Sequence, residues 1–96
     1  MPVEKKDEIT LLCDALLQLE NQEECRMLLD DLFTISEISA AAQRMTIAEM
    51  LYQKRTCGSI AAETGASTAT VSRVNKCLNY GSGGYKTVIG RLEENK

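Results

Sequence analysis

Apolar residues recur at intervals of three and four residues along most of this 96-residue chain. That spacing places them on one face of an α-helix, whereas a half-buried strand would show strict alternation. Aromatic side chains, which favour sheets, are scarce: there is one phenylalanine and no tryptophan. The single proline is residue 2, so no helix further along is interrupted by one. The pattern therefore predicts an all-α fold.

Capping signals divide this pattern into short helices. Asp7 is suited to cap the first of them. Asn21 with Glu24 has the spacing of a capping box and predicts the start of a second helix. Thr34 with Glu37 repeats that spacing and predicts the start of a third. The apolar stripe of the third helix consists of Ile38, Ala41, Ala42, Met45, Ala48 and Leu51.

The helices predicted over residues 7–53 are rich in leucine and alanine. They expose more apolar surface than the thin core of such a short chain is able to cover. Burial against a second copy is the simplest remedy, and we expect these helices to form the interface of a homodimer. A compact monomeric bundle is the alternative that the pattern leaves open.

The stretch over residues 56–78 has the pattern of a helix-turn-helix, in which two short helices cross steeply through a tight turn. Thr56 is suited to cap the first helix and Ser67 to cap the second. Gly65 lies between them, where the turn requires a positive φ. Ala61 is small enough for the second helix to pack closely against the first.

Small and polar side chains occupy the predicted outer face of the second helix. Hydroxyls and an alanine at its N-terminal end fit a DNA major groove, where they contact base edges or a thymine methyl group. Basic side chains further along, and just before the motif, are suited to phosphates. The predicted DNA-binding residues are Lys54, Arg55, Ser67, Thr68, Ala69, Ser72, Arg73 and Lys76.

The distribution of charge agrees with this interpretation, although the net charge is −3. Residues 1–42 carry ten acidic and three basic side chains, a net of −7, whereas residues 43–96 carry four acidic and eight basic ones, a net of +4. The helix-turn-helix therefore lies in the basic half of the chain, where a surface that meets phosphates is available.

Glycine-rich sequence over residues 79–84 predicts a loop, and a last helix is expected over residues 85–93. We interpret residues 1–96 as a single domain. No apolar run is long enough to span a bilayer, so we expect a cytoplasmic protein with no membrane partner.

Catalysis and metal binding find little support in the residues. The chain has no histidine for acid–base chemistry, and its cysteines have no activating neighbour, so we expect no enzyme. It also has no C-x-x-C pair, which predicts four reduced, partly buried thiols and no metal site. A four-cysteine metal site or a pair of disulfides is the alternative. The four cysteines are Cys13, Cys25, Cys57 and Cys77.

Three stretches of the sequence are distinctive: LFTISEISAAAQR, MLYQKRTCGSIAAE and TGASTATVSRVNKCLNYGSGGY. Over residues 32–92 they resemble the Trp-repressor superfamily, and within it the YerC/YecD-type branch. The resemblance implies a fold of about six helices and an intertwined dimer formed through the N-terminal helices. It also implies sequence-specific operator binding and a role in transcription, usually repression.

The resemblance further implies a co-repressor pocket, because the Trp repressor holds its amino acid between two arginine side chains beside the recognition helix. Arg73 matches the arginine of that helix within the pattern G-A-x-x-A-T-[IV]-[ST]-R, and Arg44 or Gln43 falls at the other position. The family site continues with a glycine and a serine, where this chain has Val74 and Cys77. Those departures argue against tryptophan. They leave a different effector, or none, at a pocket formed by Arg44, Arg73 and Cys77.

Taken together, the residues and the resemblance predict a dimeric transcriptional regulator that reads double-stranded DNA. The competing hypothesis is a helix-turn-helix scaffold that has lost specific DNA binding. Such a scaffold would act as a protein-interaction module and use the acidic N-terminal half of the chain to dock on another protein.

Overall fold

The structure, a computed structural model, describes residues 5–96, and their side chains from residue 7 onwards. Over this range every regular element is a helix, which confirms the predicted all-α fold. The helices are α1 (Lys5–Leu16), α2 (Gln22–Leu32), α3 (Ile35–Tyr52), α4 (Cys57–Thr64), α5 (Thr68–Tyr80) and α6 (Gly84–Glu94). The chain divides between Ile35 and Ser36 into two compact units, one with α1 and α2 and one with α3 to α6.

The helix starts in the first unit follow the predicted caps in part. Asn21 precedes α2, and its Oδ1 accepts a hydrogen bond from the backbone N–H of Glu24 at 2.9 Å. The Glu24 carboxylate accepts from the N–H of Glu20 at 3.0 Å, one residue earlier than a regular capping box requires. Asp7 was expected to cap α1, but that expectation is wrong because α1 begins at Lys5 and Asp7 lies within its first turn. Its carboxylate still interacts favourably with the positive end of the helix dipole there.

The first unit buries none of its side chains over residues 7–35. Its leucines are correspondingly open, and Leu11 and Leu17 retain 68% and 79% of their accessible surface. The apolar side chains whose spacing predicted α1 and α2 are therefore present on the surfaces of these helices, but a single chain does not bury them.

The second unit has a compact aliphatic core to which each of its four helices contributes. The fully or almost fully buried side chains are Ile47, Ala48, Leu51, Ile60, Val71, Val74, Leu78 and Ile89. Removing an isoleucine, leucine or valine side chain from water contributes about 1.5–3 kcal/mol. This core fixes the position of α4 and α5 against α3 and α6.

The predicted stripe of α3 is only half correct. Ala48 and Leu51 are buried as expected, whereas Ala41 and Ala42 are exposed. Ile47 is fully buried, although the predicted stripe did not include it. The core of the second unit thus meets only the C-terminal part of α3.

The predicted loop over residues 79–84 is shorter in the structure. α5 continues through Asn79 to Tyr80, and α6 already begins at Gly84. The Asn79 amide nitrogen donates to the backbone oxygen and to Oδ1 of Asn75, both at 3.0 Å, and this supports the last turn of α5. Gly83 has a φ of 94°, which glycine adopts without strain.

The four cysteines form no disulfide with one another. We expected partly buried thiols, but only Cys25 is partly buried; Cys13, Cys57 and Cys77 are exposed. Within residues 5–96, none of the helices combines the length and the apolar character needed to cross a membrane.

Candidate nucleic-acid interface

The turn between α4 and α5 has the geometry of a helix-turn-helix. Thr56 Oγ1 accepts a hydrogen bond from the N–H of Ser59 at 3.1 Å and so caps α4. Gly65 ends α4 in the left-handed conformation, with a φ of 75°. Ser67 Oγ accepts from the N–H of Thr70 at 3.1 Å and caps α5. These observations confirm the three local predictions for the motif.

Buried contacts and one hydroxyl hold α4 and α5 at their crossing. Ile60 and Val71 are fully buried, and Val74 retains 2% of its accessible surface. Thr64 Oγ1 donates to the backbone oxygen of Ile60 at 2.8 Å and accepts from the N–H of Ala66 at 3.2 Å. The turn is therefore anchored on both sides of Gly65, and the outer face of α5 has a fixed direction.

The outer face of α5 is exposed along its whole length. Its first turn presents hydroxyl and methyl groups, and its second and third turns present cations. The predicted DNA-binding residues Ser67, Thr68, Ala69, Ser72, Arg73 and Lys76 all lie on this surface and are exposed. Arg73 and Lys76 form no ion pair with any residue over 5–96. The structure thus brings these six residues together on one side of one helix.

The turn between α3 and α4 displays the other two predicted residues. Lys54 has a φ of 69°, and its N–H donates to the oxygen of Leu51 at 2.9 Å. The N–H of Arg55 donates to the oxygen of Met50 at 3.2 Å. Together these bonds form the Schellman motif that terminates α3, with a lysine at the position where glycine is usual.

The two cations of this turn differ in their surroundings. The Arg55 guanidinium forms an ion pair with the Glu63 carboxylate and donates to Ser59 Oγ at 3.1 Å. The hydrogen bond and the charge of Arg55 hold the pKa of Glu63 below its ordinary value, and Glu63 in turn raises the pKa of Arg55. Lys54 forms no ion pair with residues 5–96. Its charge is therefore the less compensated of the two.

The residues predicted for an effector pocket also meet. Arg44 from α3 and Arg73 and Cys77 from α5 line one open cavity, here called the arginine pocket, together with Thr70, Val74 and Tyr85. Val74 is buried, and the half-buried ring of Tyr85 packs against the core. The pocket thus combines two guanidinium groups with a thiol and an aromatic ring.

A second open cavity lies on the opposite flank of α5. This cavity is here called the basic groove. Its lining includes Lys54, Arg55, Thr56, Cys57, Asn75, Asn79 and Lys86. Asn75, Asn79 and Lys86 are not among the residues that the sequence predicted to bind DNA or an effector. The spacing of four residues between the two asparagines was the available signal for a shared helix flank. Nothing local in the sequence places Lys86 of α6 beside them.

These features define a helix-turn-helix protein: two capped helices joined by a glycine turn, with an exposed face of hydroxyls and cations on the second helix. The family model for Trp repressor protein matches residues 7–93, and the chain belongs to that family. The family consists of regulatory DNA-binding proteins.

The relatives support the YerC-type branch. The chain is 47% identical to the uncharacterized protein YerC of Bacillus subtilis (strain 168) over 87 residues. The matched region covers 91% of this chain and 84% of YerC. A solved structure of a TrpR like protein from Eubacterium eligens is 45% identical, with a TM-score of 0.86, over 93% of this chain and 92% of that one. A second solved structure, from Staphylococcus aureus, is 43% identical, with a TM-score of 0.84, over 90% and 86% of the two chains.

Proposed function

We propose that this protein is a sequence-specific transcriptional regulator, a repressor, that binds double-stranded DNA as a homodimer through its helix-turn-helix. The observation that carries the proposal is the outer face of α5. Hydroxyl and methyl groups at its N-terminal end precede two cations that no carboxylate of residues 5–96 neutralises. Such a face suits the DNA major groove, which is wide enough to admit a helix and displays a distinct pattern of donors and acceptors for each base pair. A protein with this function acts in the cytoplasm.

The side chains that read bases in this proposal lie at the start of α5. Thr68 and Ser72 offer hydroxyls to base edges, and Ala69 offers a methyl group to thymine. Arg73, about one turn further along, is within reach of a guanine or a phosphate.

The side chains that hold phosphates surround them. Ser67 and the first N–H groups of α5 form an N-terminal anion site, and Lys76 lies further along the same helix. Lys54 and Arg55 approach from the turn before α4. Because Glu63 already compensates the charge of Arg55, Arg55 contributes less to phosphate binding, whereas Lys54 is able to extend to a phosphate.

Dimerisation is supported by the open leucines of α1 and α2. Neither helix buries a side chain over residues 7–35, and a second copy would cover the surfaces that remain. We infer an intertwined homodimer formed through the N-terminal helices. It presents two copies of α5 to major-groove faces roughly 34 Å apart, one helical turn of DNA.

An effector is a further part of the proposal. The arginine pocket places two guanidinium groups beside Tyr85 and Cys77, an arrangement that suits a small anion and not the ammonium group of an amino acid. In an Arg44→Ala variant we expect DNA binding to persist and any response to an anionic effector to be lost. If the variant binds DNA and responds as the unaltered protein does, Arg44 has no such role.

A selection from fragmented genomic DNA tests the function. Purified protein is mixed with the fragments at low and at moderate salt, and the retained fragments are sequenced. Enrichment of a palindromic site that persists at moderate salt is the expected result, since a dimer reads two half-sites. Uniform retention that disappears with salt would mean only a general affinity for phosphate.

The alternative is a protein-interaction module that uses the acidic N-terminal half. In that case no fragment would be retained even at low salt, where phosphate contacts are strongest. Because a missing effector would give the same result, the selection is repeated with small organic anions added. Failure under both conditions would favour the interaction module.

A further inference from the structure

The recognition helix α5 has two chemically different flanks. Its buried side is formed by Val71, Val74 and Leu78. Cys77 lies on one flank and lines the arginine pocket, and Asn79 lies on the other and lines the basic groove. A helix inserted into a DNA major groove runs between two sugar–phosphate strands, so each flank faces one strand. With α5 in a major groove, the basic groove would face the strand on its own flank of the helix.

The lining of the basic groove carries an uncompensated positive charge. Lys54 and Arg55 enter it from the turn before α4, and Lys86 enters it from α6. Its lining contains no carboxylate, and Glu63, the partner of Arg55, lies outside it. Lys54 and Lys86 form no ion pair with any residue over 5–96. The groove thus gathers cations from two elements that are distant in sequence.

The uncharged part of the lining also suits a sugar–phosphate chain. Asn75 and Asn79 are joined by the hydrogen bond from the Asn79 amide nitrogen to Asn75 Oδ1, at 3.0 Å, which fixes both amides on this flank. Amide groups are common ligands of DNA phosphate oxygens and sugars. Thr56 and Cys57 add the N-terminal end of α4, whose dipole favours an anion.

We propose that the basic groove seats the sugar–phosphate backbone of one DNA strand, and that Lys86 of α6 is a phosphate contact. The inference rests on the proposed DNA-binding function and extends the interface beyond the helix-turn-helix to the last helix of the chain. Lys86 carries no sequence information in this arrangement. It fixes how deeply, and in which register, α5 enters the major groove.

The test measures how the affinity for a short random-sequence DNA duplex depends on salt, for the unaltered protein and for Lys86→Ala. Each neutralised phosphate contributes about −0.9 to the slope of log affinity against log salt, so Lys86→Ala should reduce the slope by about that amount. Lys86→Arg should preserve it. Lys96→Ala is the matched control, since it removes the same charge from a lysine that is paired with Glu93 at 3.2 Å outside the groove.

A second measurement separates a direct contact from a general effect of charge. Duplexes of the selected site, which fixes the register of the protein, are prepared with a single neutral methylphosphonate and compared one phosphate position at a time. At the contacted position the methylphosphonate should lower the affinity of the unaltered protein. The same methylphosphonate should not further lower the affinity of Lys86→Ala, which already lacks the contact. If Lys86→Ala matches Lys96→Ala in slope, or no position couples to Lys86, the phosphate contact is refuted while DNA binding stands. If the unaltered protein binds no duplex at any salt, with or without small organic anions, the proposed function fails and this inference fails with it.

Discussion

The guanidinium of Arg55 is paired with the carboxylate of Glu63, eight residues further along the chain. The pair connects the turn that precedes α4 to the last turn of α4, so it spans the first helix of the helix-turn-helix. A second bond from the guanidinium reaches Ser59 Oγ in the first turn of that helix. One arginine side chain thereby holds the turn and the helix as a unit.

This pair should make the stability of the fold depend on pH in the acid range. The pKa of Glu63 is lowered from its ordinary value of 4.5 in the folded protein, so the unfolded chain takes up its proton first as the pH falls. The contribution of the pair is therefore complete above pH 4.5 and is lost as the pH falls through the lower folded pKa. Thermal unfolding of Glu63→Gln and the unaltered protein, followed by circular dichroism, should differ most near neutral pH and converge in acid. A difference that is independent of pH would contradict the role of the pair.

Glu63→Gln should also strengthen DNA binding. The substitution removes a negative charge close to the proposed phosphate contacts and releases the guanidinium of Arg55. We expect a higher affinity for duplex DNA and a steeper slope of log affinity against log salt, by at most about 0.9 for one additional phosphate. Glu94→Gln, at the end of α6, removes the same charge elsewhere and serves as the control. Weaker binding by Glu63→Gln would show that the orientation of Arg55 matters more than its release.

Lys54 allows backbone conformation to be separated from charge. Its positive φ strains any residue except glycine, so Lys54→Gly should be more stable to urea than Lys54→Ala by about 1 kcal/mol. Both variants lack the ammonium group, so both should lose the same DNA affinity. If the two variants differ in DNA affinity as much as in stability, the lysine acts through the turn and not through a phosphate.

Thr68 and Lys76 test the division between reading and anchoring on α5. Thr68→Ala should relax the preference at one base pair of the selected site by about 1 kcal/mol, with little effect on the salt dependence. Lys76→Ala should weaken binding to selected and random duplexes alike, and should reduce the salt slope by about 0.9. Competition binding with both duplexes measures the two effects. Identical behaviour of the two variants would refute the division.

The open leucines of α1 predict a dimer that charge should disrupt. Leu12→Glu and Leu16→Glu each place a carboxylate among the exposed apolar side chains of α1, and we expect monomers by sedimentation equilibrium. Asp14→Glu on the same helix keeps its charge and should remain dimeric. A monomeric unaltered protein, or charged variants that still dimerise, would show that these leucines do not form the interface.

The sequence was most informative where structure depends on a few neighbouring residues. The caps at Asn21, Thr56 and Ser67 and the left-handed turn at Gly65 are set by local hydrogen bonds and by the conformational freedom of glycine. The predicted end of α5, at residue 78, is wrong because the glycines after Tyr80 indicated a loop from residue 79, whereas the helix continues to Tyr80. Local patterns therefore located the recognition helix and its outer face.

Features that depend on packing between distant elements could not be predicted in this way. Ile47 belongs to a core to which α3, α4, α5 and α6 all contribute, and helical spacing alone does not reveal its burial. The ion pair between Arg55 and Glu63 joins the two ends of α4, and no local pattern marks these two residues as partners. The approach of Lys86 to Asn79 likewise depends on how α6 packs against α5.

Residues 7–35 bury no side chain. In the proposed dimer, the packing of the first unit therefore depends on the concentration of the protein, whereas the packing of the second unit does not. The second unit has a core built from a single chain. The first unit, in the proposed dimer, gains its core only in a bimolecular step, so the fraction assembled rises with the amount of protein present. While monomers predominate, occupancy of a two-half-site operator then grows with the square of the chain concentration. A gene controlled in this way would respond to modest changes in synthesis or dilution of the regulator, whether or not an effector occupies the arginine pocket.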